Sequence, residues 1–253
     1  MNLDGKVTLI TGIGSGIGQA AARLFCQQGA AVFGVDRNVA TGETLAEELQ
    51  GQNQKFYFYA ADLSTQTACK QVVSQCCKVY DRIDILYNNA GISAVKTFSD
   101  TDSITLEQIF AVNFMSVFYL CQQVIPIMLQ QGGGIIINTA SELAIVAQPL
   151  YTAYCASKGA VLSFTRALAL EYAQMNIRIN ALCPGPIDTP MLQQEFDLDT
   201  DPVKAKEQGI ATMPIGRLGR AEEIAQVALF LASTAPQLMH GASLVVDGAK
   251  TIL

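Results

Sequence analysis

The chain has 253 residues, half of them apolar and 15% charged, with a formal net charge of −6 and a mean hydropathy of +0.28. That length and apolar content suit one large domain over residues 1–253. The missing basic run excludes a nucleic-acid surface, and no apolar run is expected to reach membrane-spanning length.

The N-terminal MNLDGKVTLITG sets Asp4 before a very short apolar run, which is not the pattern of a secretory leader. Seven cysteines at 26, 69, 76, 77, 121, 155 and 183 are irregularly spaced and lack a C-x-x-C. They read as reduced thiols in a cytoplasmic protein. With a single histidine, His240, no metal site is expected.

In chain order, strands are predicted over 6–11, 30–36, 55–62, 83–89, 134–140, 177–183 and 243–247. Most are continuously apolar, as in strands buried on both faces. Helical patterns at 17–28, 39–50, 65–80, 105–131, 154–174 and 221–233 alternate with them. This alternation predicts an α/β fold of three layers, doubly wound, with a seven-stranded parallel sheet and helices on both faces. The polar, acidic stretch at 190–214 breaks the rhythm and is expected to form a lid over one edge.

The first strand runs into TGIGSGIG, residues 11–18. Glycines at Gly12, Gly16 and Gly18 between a strand and a helix permit a sharp turn, close approach of backbone N–H groups to a pyrophosphate, and tight helix packing, as in a Rossmann fold. Asp36 ends the second strand, 18 residues after Gly18, where a carboxylate accepts hydrogen bonds from the adenine ribose. A 2′-phosphate there meets a like charge, so NAD is expected over NADP. Arg37 beside it leaves NADP as the alternative.

From Lys6 to about Gly248 the sequence resembles the short-chain dehydrogenase/reductase family, in its short single-domain branch. TGIGSGIG looks like the family's cofactor turn, with Ser15 and Ile17 in it, and Asp62-Leu63 like its adenine-holding pair. Asn88-Asn89-Ala90-Gly91 looks like the segment beside the cofactor, and Pro184-Gly185 with Ile187 and Thr189 like the segment contacting the nicotinamide carboxamide. Asn113 looks like the family's catalytic asparagine. Ser141 lies 13 residues before Tyr154, and Lys158 follows Tyr154 by four. The resemblance implies that this is the Ser…Tyr-x-x-x-Lys active site. It also implies that Lys158 binds the nicotinamide ribose, that Asn113 holds a water, and that the chain assembles as a homotetramer or homodimer. Ala144, where the family often has glycine, is a mild departure. Glu142, where the family commonly has a small or apolar residue, is read as either a substrate contact or a solvated loop acid.

Residues four apart on a helix share a face, which pairs Tyr154 with Lys158 and leaves Tyr151 facing Cys155. A nearby ammonium and the positive nicotinamide ring are expected to bring the phenol from ~10 to roughly 7–8. Tyr154 then serves as general acid and base, and Ser141 stabilises the substrate oxygen. Ser93, Ala94, Val95, Glu142, Leu143, Gln148, Tyr151, Pro186 and Met191 are the expected pocket residues for a small-molecule alcohol or ketone. QQGGG and YAQMN carry no basic docking residues, which demotes an acyl-carrier substrate. The predicted activity is NAD-dependent interconversion of a secondary alcohol and its ketone. The alternatives are an NADP-dependent carbonyl or 3-oxoacyl reductase, an epimerase or dehydratase, and a non-catalytic nucleotide sensor.

Overall fold

The computed structural model describes residues 1–253. Its central sheet has seven parallel strands in the order β3-β2-β1-β4-β5-β6-β9. These are β1 (Val7–Thr11), β2 (Ala31–Asp36), β3 (Phe56–Ala60), β4 (Ile85–Asn88), β5 (Gly134–Thr139), β6 (Ile177–Pro184) and β9 (Ser243–Val246). Every residue of β1, β4 and β6 is buried, as their continuous apolar runs require.

One apolar cluster of 26 buried residues lies under α3 (Gln66–Tyr80), α5 (Ser116–Gln131) and α6 (Thr152–Tyr172). A second, of 25, lies under α1 (Gly16–Gln27), α2 (Val39–Gly51) and α9 (Ala221–Ala232). Near-equal clusters mean that both sheet faces are covered, the three-layer arrangement expected from the sequence. Strand order reverses between β1 and β4, which opens a crevice at the carboxyl ends of the strands.

Two local features depart from expectation. α4 (Ser103–Phe110) continues through a π-helical turn, Ala111–Met115, into α5. This 29-residue helix is long and apolar enough to cross a membrane, contrary to the sequence expectation. It instead lays Val117, Leu120, Cys121, Val124 and Met128 into the core. The second is the acidic stretch, for which no helix was predicted. It folds as α7 (Pro190–Phe196) and α8 (Pro202–Ala211), neither with a buried residue. A two-stranded parallel ribbon of β7 (Ile187–Asp188) and β8 (Gly219–Arg220) closes the stretch at its base.

Candidate active site

One cavity of about 1200 Å³ lies along the carboxyl ends of the strands. Each wall follows from a strand end: the glycine turn after β1, Asp36 after β2, Asp62 and Leu63 after β3, Asn89 to Gly91 after β4, Ser141 after β5, and Pro184 to Thr189 after β6.

The glycine turn is built for close approach. Gly12 and Gly16 have positive φ of 74° and 53°. A Cβ at residue 12 would stand 2.9 Å from Ala90 Cα. Asn89 Nδ2 donates to Thr11 O at 3.1 Å, and the Thr11 hydroxyl accepts from the backbone N–H groups of Asn89 and Ala90. Gly14 N donates to Asp36 Oδ2 at 2.8 Å and Asn38 N to Oδ1 at 2.9 Å, so backbone donors hold the carboxylate at the cavity rim. Arg37 is exposed and makes no ion pair. Bare backbone at Gly12, Gly14 and Gly16 fits a dinucleotide pyrophosphate.

At the other end stand Ser141, Tyr154 and Lys158. Lys158 is buried; its Nζ lies 5.8 Å from the Tyr154 ring centroid and donates to Thr139 O at 2.8 Å. Burial lowers this lysine to about 8. Leu143 N donates to Ser141 Oγ at 3.1 Å, which fixes the serine and leaves its own proton to donate. The Tyr154 phenol is shifted the opposite way from expectation. Desolvation raises it above its ordinary value; the Ser141 hydroxyl opposes this, and the carboxylates of Glu195 and Glu142 add to it. The protein's own groups therefore do not lower this phenol. Lys158 directs its donor to Thr139, and the charges of Glu195 and Glu142 favour the protonated phenol.

Asn113 lies in the π turn, fully buried behind the cavity rather than lining it. Its Oδ1 accepts from Ile92 N at 2.8 Å, and its Nδ2 donates to Ile92 O and Ser157 Oγ. Both ends of the amide are engaged by protein groups. Gly18 also lies outside the lining. A Cβ there would fall 2.0 Å from Gly12 O, so its part is helix packing against the turn.

The remaining predicted residues all line the cavity: Ser15, Ile17, Ser93, Ala94, Val95, Glu142, Leu143, Gln148, Tyr151, Pro186 and Met191. The sequence reading missed Glu195 and Lys250 as wall residues. Glu195 accepts a hydrogen bond from Tyr151 at 2.8 Å. Lys250 Nζ lies 2.6 Å from Glu142 Oε1. Glu142 is thus no solvated loop acid: it is 3% exposed and ion-paired. Neither partner carried a local signal, since Glu195 sits among other acids and Lys250 is 108 residues from Glu142.

The model of the short chain dehydrogenase family matches residues 6–199. The chain belongs to the short-chain dehydrogenase family. Among its relatives, the 3-oxoacyl-(acyl-carrier-protein) reductase FabG of Thermotoga maritima is 38% identical, with 100% of each chain covered. D-threitol dehydrogenase of Mycolicibacterium smegmatis is 35% identical over 99% of this chain and 94% of its own. The crystal structure of levodione reductase superposes with a TM-score of 0.95 at 33% identity, covering 99% of both chains. The protein is thus a short-chain dehydrogenase, an oxidoreductase acting on CH–OH groups in a family that binds NAD(H) or NADP(H).

Proposed function

We propose that this short-chain dehydrogenase is NAD-dependent and interconverts a small or medium secondary alcohol and its ketone. The observation that carries the reading is the single cavity shared by the glycine turn, the backbone-anchored Asp36 and the Ser141–Tyr154–Lys158 group. Asp36 sets a fixed negative charge where an NADP phosphate would have to sit. The relative acting on D-threitol supports a polar alcohol as substrate.

Bound nicotinamide supplies the hydride acceptor or donor. Tyr154 takes the hydroxyl proton during oxidation and returns it during reduction. Lys158 contributes positive charge beneath it and holds the nicotinamide ribose. Ser141 donates its proton to the substrate oxygen as negative charge develops there. Asn113 positions Ile92 and Ser157 and holds the water that links Lys158 to solvent. Gly12 and Gly16, with Ser15, Ile17, Asp62, Leu63, Asn89, Ala90, Gly91, Pro184, Gly185, Ile187 and Thr189, form the cofactor cradle, and Gly18 packs the helix against it.

The whole chain acts as one catalytic unit, with 190–214 as its lid. Seven free thiols suit a reducing cytoplasm. Phe118 and Leu170, on the outer faces of α5 and α6, are exposed at 37% and 81%, which supports a dimer through those helices, with a second interface near the C-terminus completing a homotetramer. A second reading, an NADP-dependent 3-oxoacyl reductase, draws on the FabG similarity and on the unpaired Arg37.

Replacing Tyr154 by Phe tests the mechanism. NAD-linked turnover of secondary alcohols should fall by roughly 10²–10⁴-fold or more, while NADH fluorescence still reports binding. Wild-type turnover in Tyr154→Phe would refute it.

A further inference from the structure

Glu142 follows Ser141 directly and lies in the 3₁₀ turn Glu142–Ala144. Its Oε1 is held by Lys250, but its Oε2 is buried with no hydrogen-bond partner. Gly185 packs closely beside that oxygen, and a Cβ there would stand 3.2 Å from it. A buried carboxylate oxygen without a donor is costly, and such groups persist where a ligand completes them.

The chain takes an unusual path to place Lys250. Gly248 and Ala249 both have positive φ, 63° and 73°, and alanine rarely adopts that conformation. Asp247 fixes the turn, its carboxylate accepting from Ala249 N at 3.0 Å and Thr251 N at 2.7 Å.

Taking the alcohol dehydrogenase reading as its premise, we infer that Glu142, held by Lys250, determines specificity by accepting a hydrogen bond from a second hydroxyl on the carbon next to the reacting one; the substrate class is a vicinal diol or polyol. Ser141 takes the reacting oxygen, so its neighbour in sequence reaches the adjacent one. Lys250 already neutralises Glu142, so an ammonium on the substrate is not required. An anionic group finds no unpaired cation beside Oε2, because Lys250 is already paired with Glu142. A mono-alcohol leaves Oε2 without a donor, and sites built to bind a hydroxyl reject analogues lacking it.

The test compares NAD-linked kcat/KM for butane-2,3-diol with butan-2-ol, and for cyclohexane-1,2-diol with cyclohexanol. The proteins are wild type, Glu142→Gln and Glu142→Leu/Lys250→Met, the last removing both charges so that neither is stranded. NADH fluorescence confirms a folded cofactor site in each. Wild type should favour diols by about 100-fold or more, and the ratio should fall at least about tenfold in both variants. Equal use of diols and mono-alcohols, an unchanged ratio in the variants, or a preference for 1-aminopropan-2-ol over propane-1,2-diol overturns the inference and leaves the dehydrogenase reading standing. Turnover of none of these alcohols or their ketones, or wild-type turnover in Tyr154→Phe, overturns both.

Discussion

Tyr151 donates its phenolic O–H to Glu195 Oε2 at 2.8 Å, joining the start of α6 to α7. The Tyr151 ring also stands edge-on to Tyr154, with centroids 6.3 Å apart and planes at 73°. The proposed lid is thus fastened beside Tyr154, although neither α7 nor α8 buries a residue of its own. Removing the hydroxyl with Tyr151→Phe leaves a half-buried carboxylate short of a donor, at a cost of about 1.5–3 kcal/mol. We expect KM for the alcohol to rise about ten- to hundredfold, with NADH affinity unchanged and faster proteolysis within 190–214. Unaltered KM and proteolysis would show that this bond does not hold the lid.

The seven strands and the helices between them were legible because a parallel sheet demands continuous apolar strands and amphipathic crossovers, and those periods are local. The helices α7 and α8 were legible in principle. Thr189-Pro190 and Asp201-Pro202 are helix-start signals, and Asp201 does cap α8 by accepting from Lys204 N, but the polar, acidic composition of the stretch hid its helical pattern. The π turn that holds Asn113 carries no pattern distinct from an ordinary helix. The Glu142–Lys250 pair depends on the last turn of the chain folding back over the β5 end, a relationship that no spacing rule expresses.

Lys158 and Tyr154 set the pH dependence as a coupled pair. Burial brings the lysine down to about 8, while the phenol is raised, so one proton is lost near that value, and the pair is in its base form when the proton that remains sits on the lysine beside the phenolate. Oxidation needs the base form and reduction the acid form. Accordingly kcat/KM for alcohol oxidation should climb as pH rises through about 8, and that for ketone reduction should decline over the same range. An arginine keeps its charge to beyond ~12, so Lys158→Arg should remove the limb near neutrality. A flat profile for wild type, or the same limb in Lys158→Arg, would count against the assignment.

Asp36 should govern the choice of cofactor. Its two oxygens are fixed by Gly14 N and Asn38 N, so the charge cannot swing away from a 2′-phosphate. Like charges about 4 Å apart repel by roughly 1–4 kcal/mol across this range of dielectric. Wild type should favour NAD over NADP by about tenfold or more. Asp36→Ser should narrow or invert that ratio, with the exposed Arg37 then available to the phosphate. Initial rates with both cofactors decide it, and a wild-type preference for NADP would defeat the proposal.

Gly18 and Gly51 make a paired test of why the glycine turn needs its glycines. A Cβ at residue 18 would fall 2.0 Å from Gly12 O and 2.5 Å from Asn89 Nδ2, groups that cannot both retreat without opening the turn. Gly18→Ala should therefore lose about 1–3 kcal/mol or more, lowering Tm by roughly 2–12 °C for a chain of this size. It should also weaken NADH binding, because Gly12 lines the cofactor end of the cavity. Gly51 ends α2 with nothing within 4 Å of an added Cβ. Alanine there restricts the unfolded chain without meeting an obstacle, so Gly51→Ala should gain about 0.4–1 kcal/mol and leave NADH binding untouched. Thermal melts with and without NADH measure both, and a neutral Gly18→Ala would mean that the turn is looser than its contacts imply.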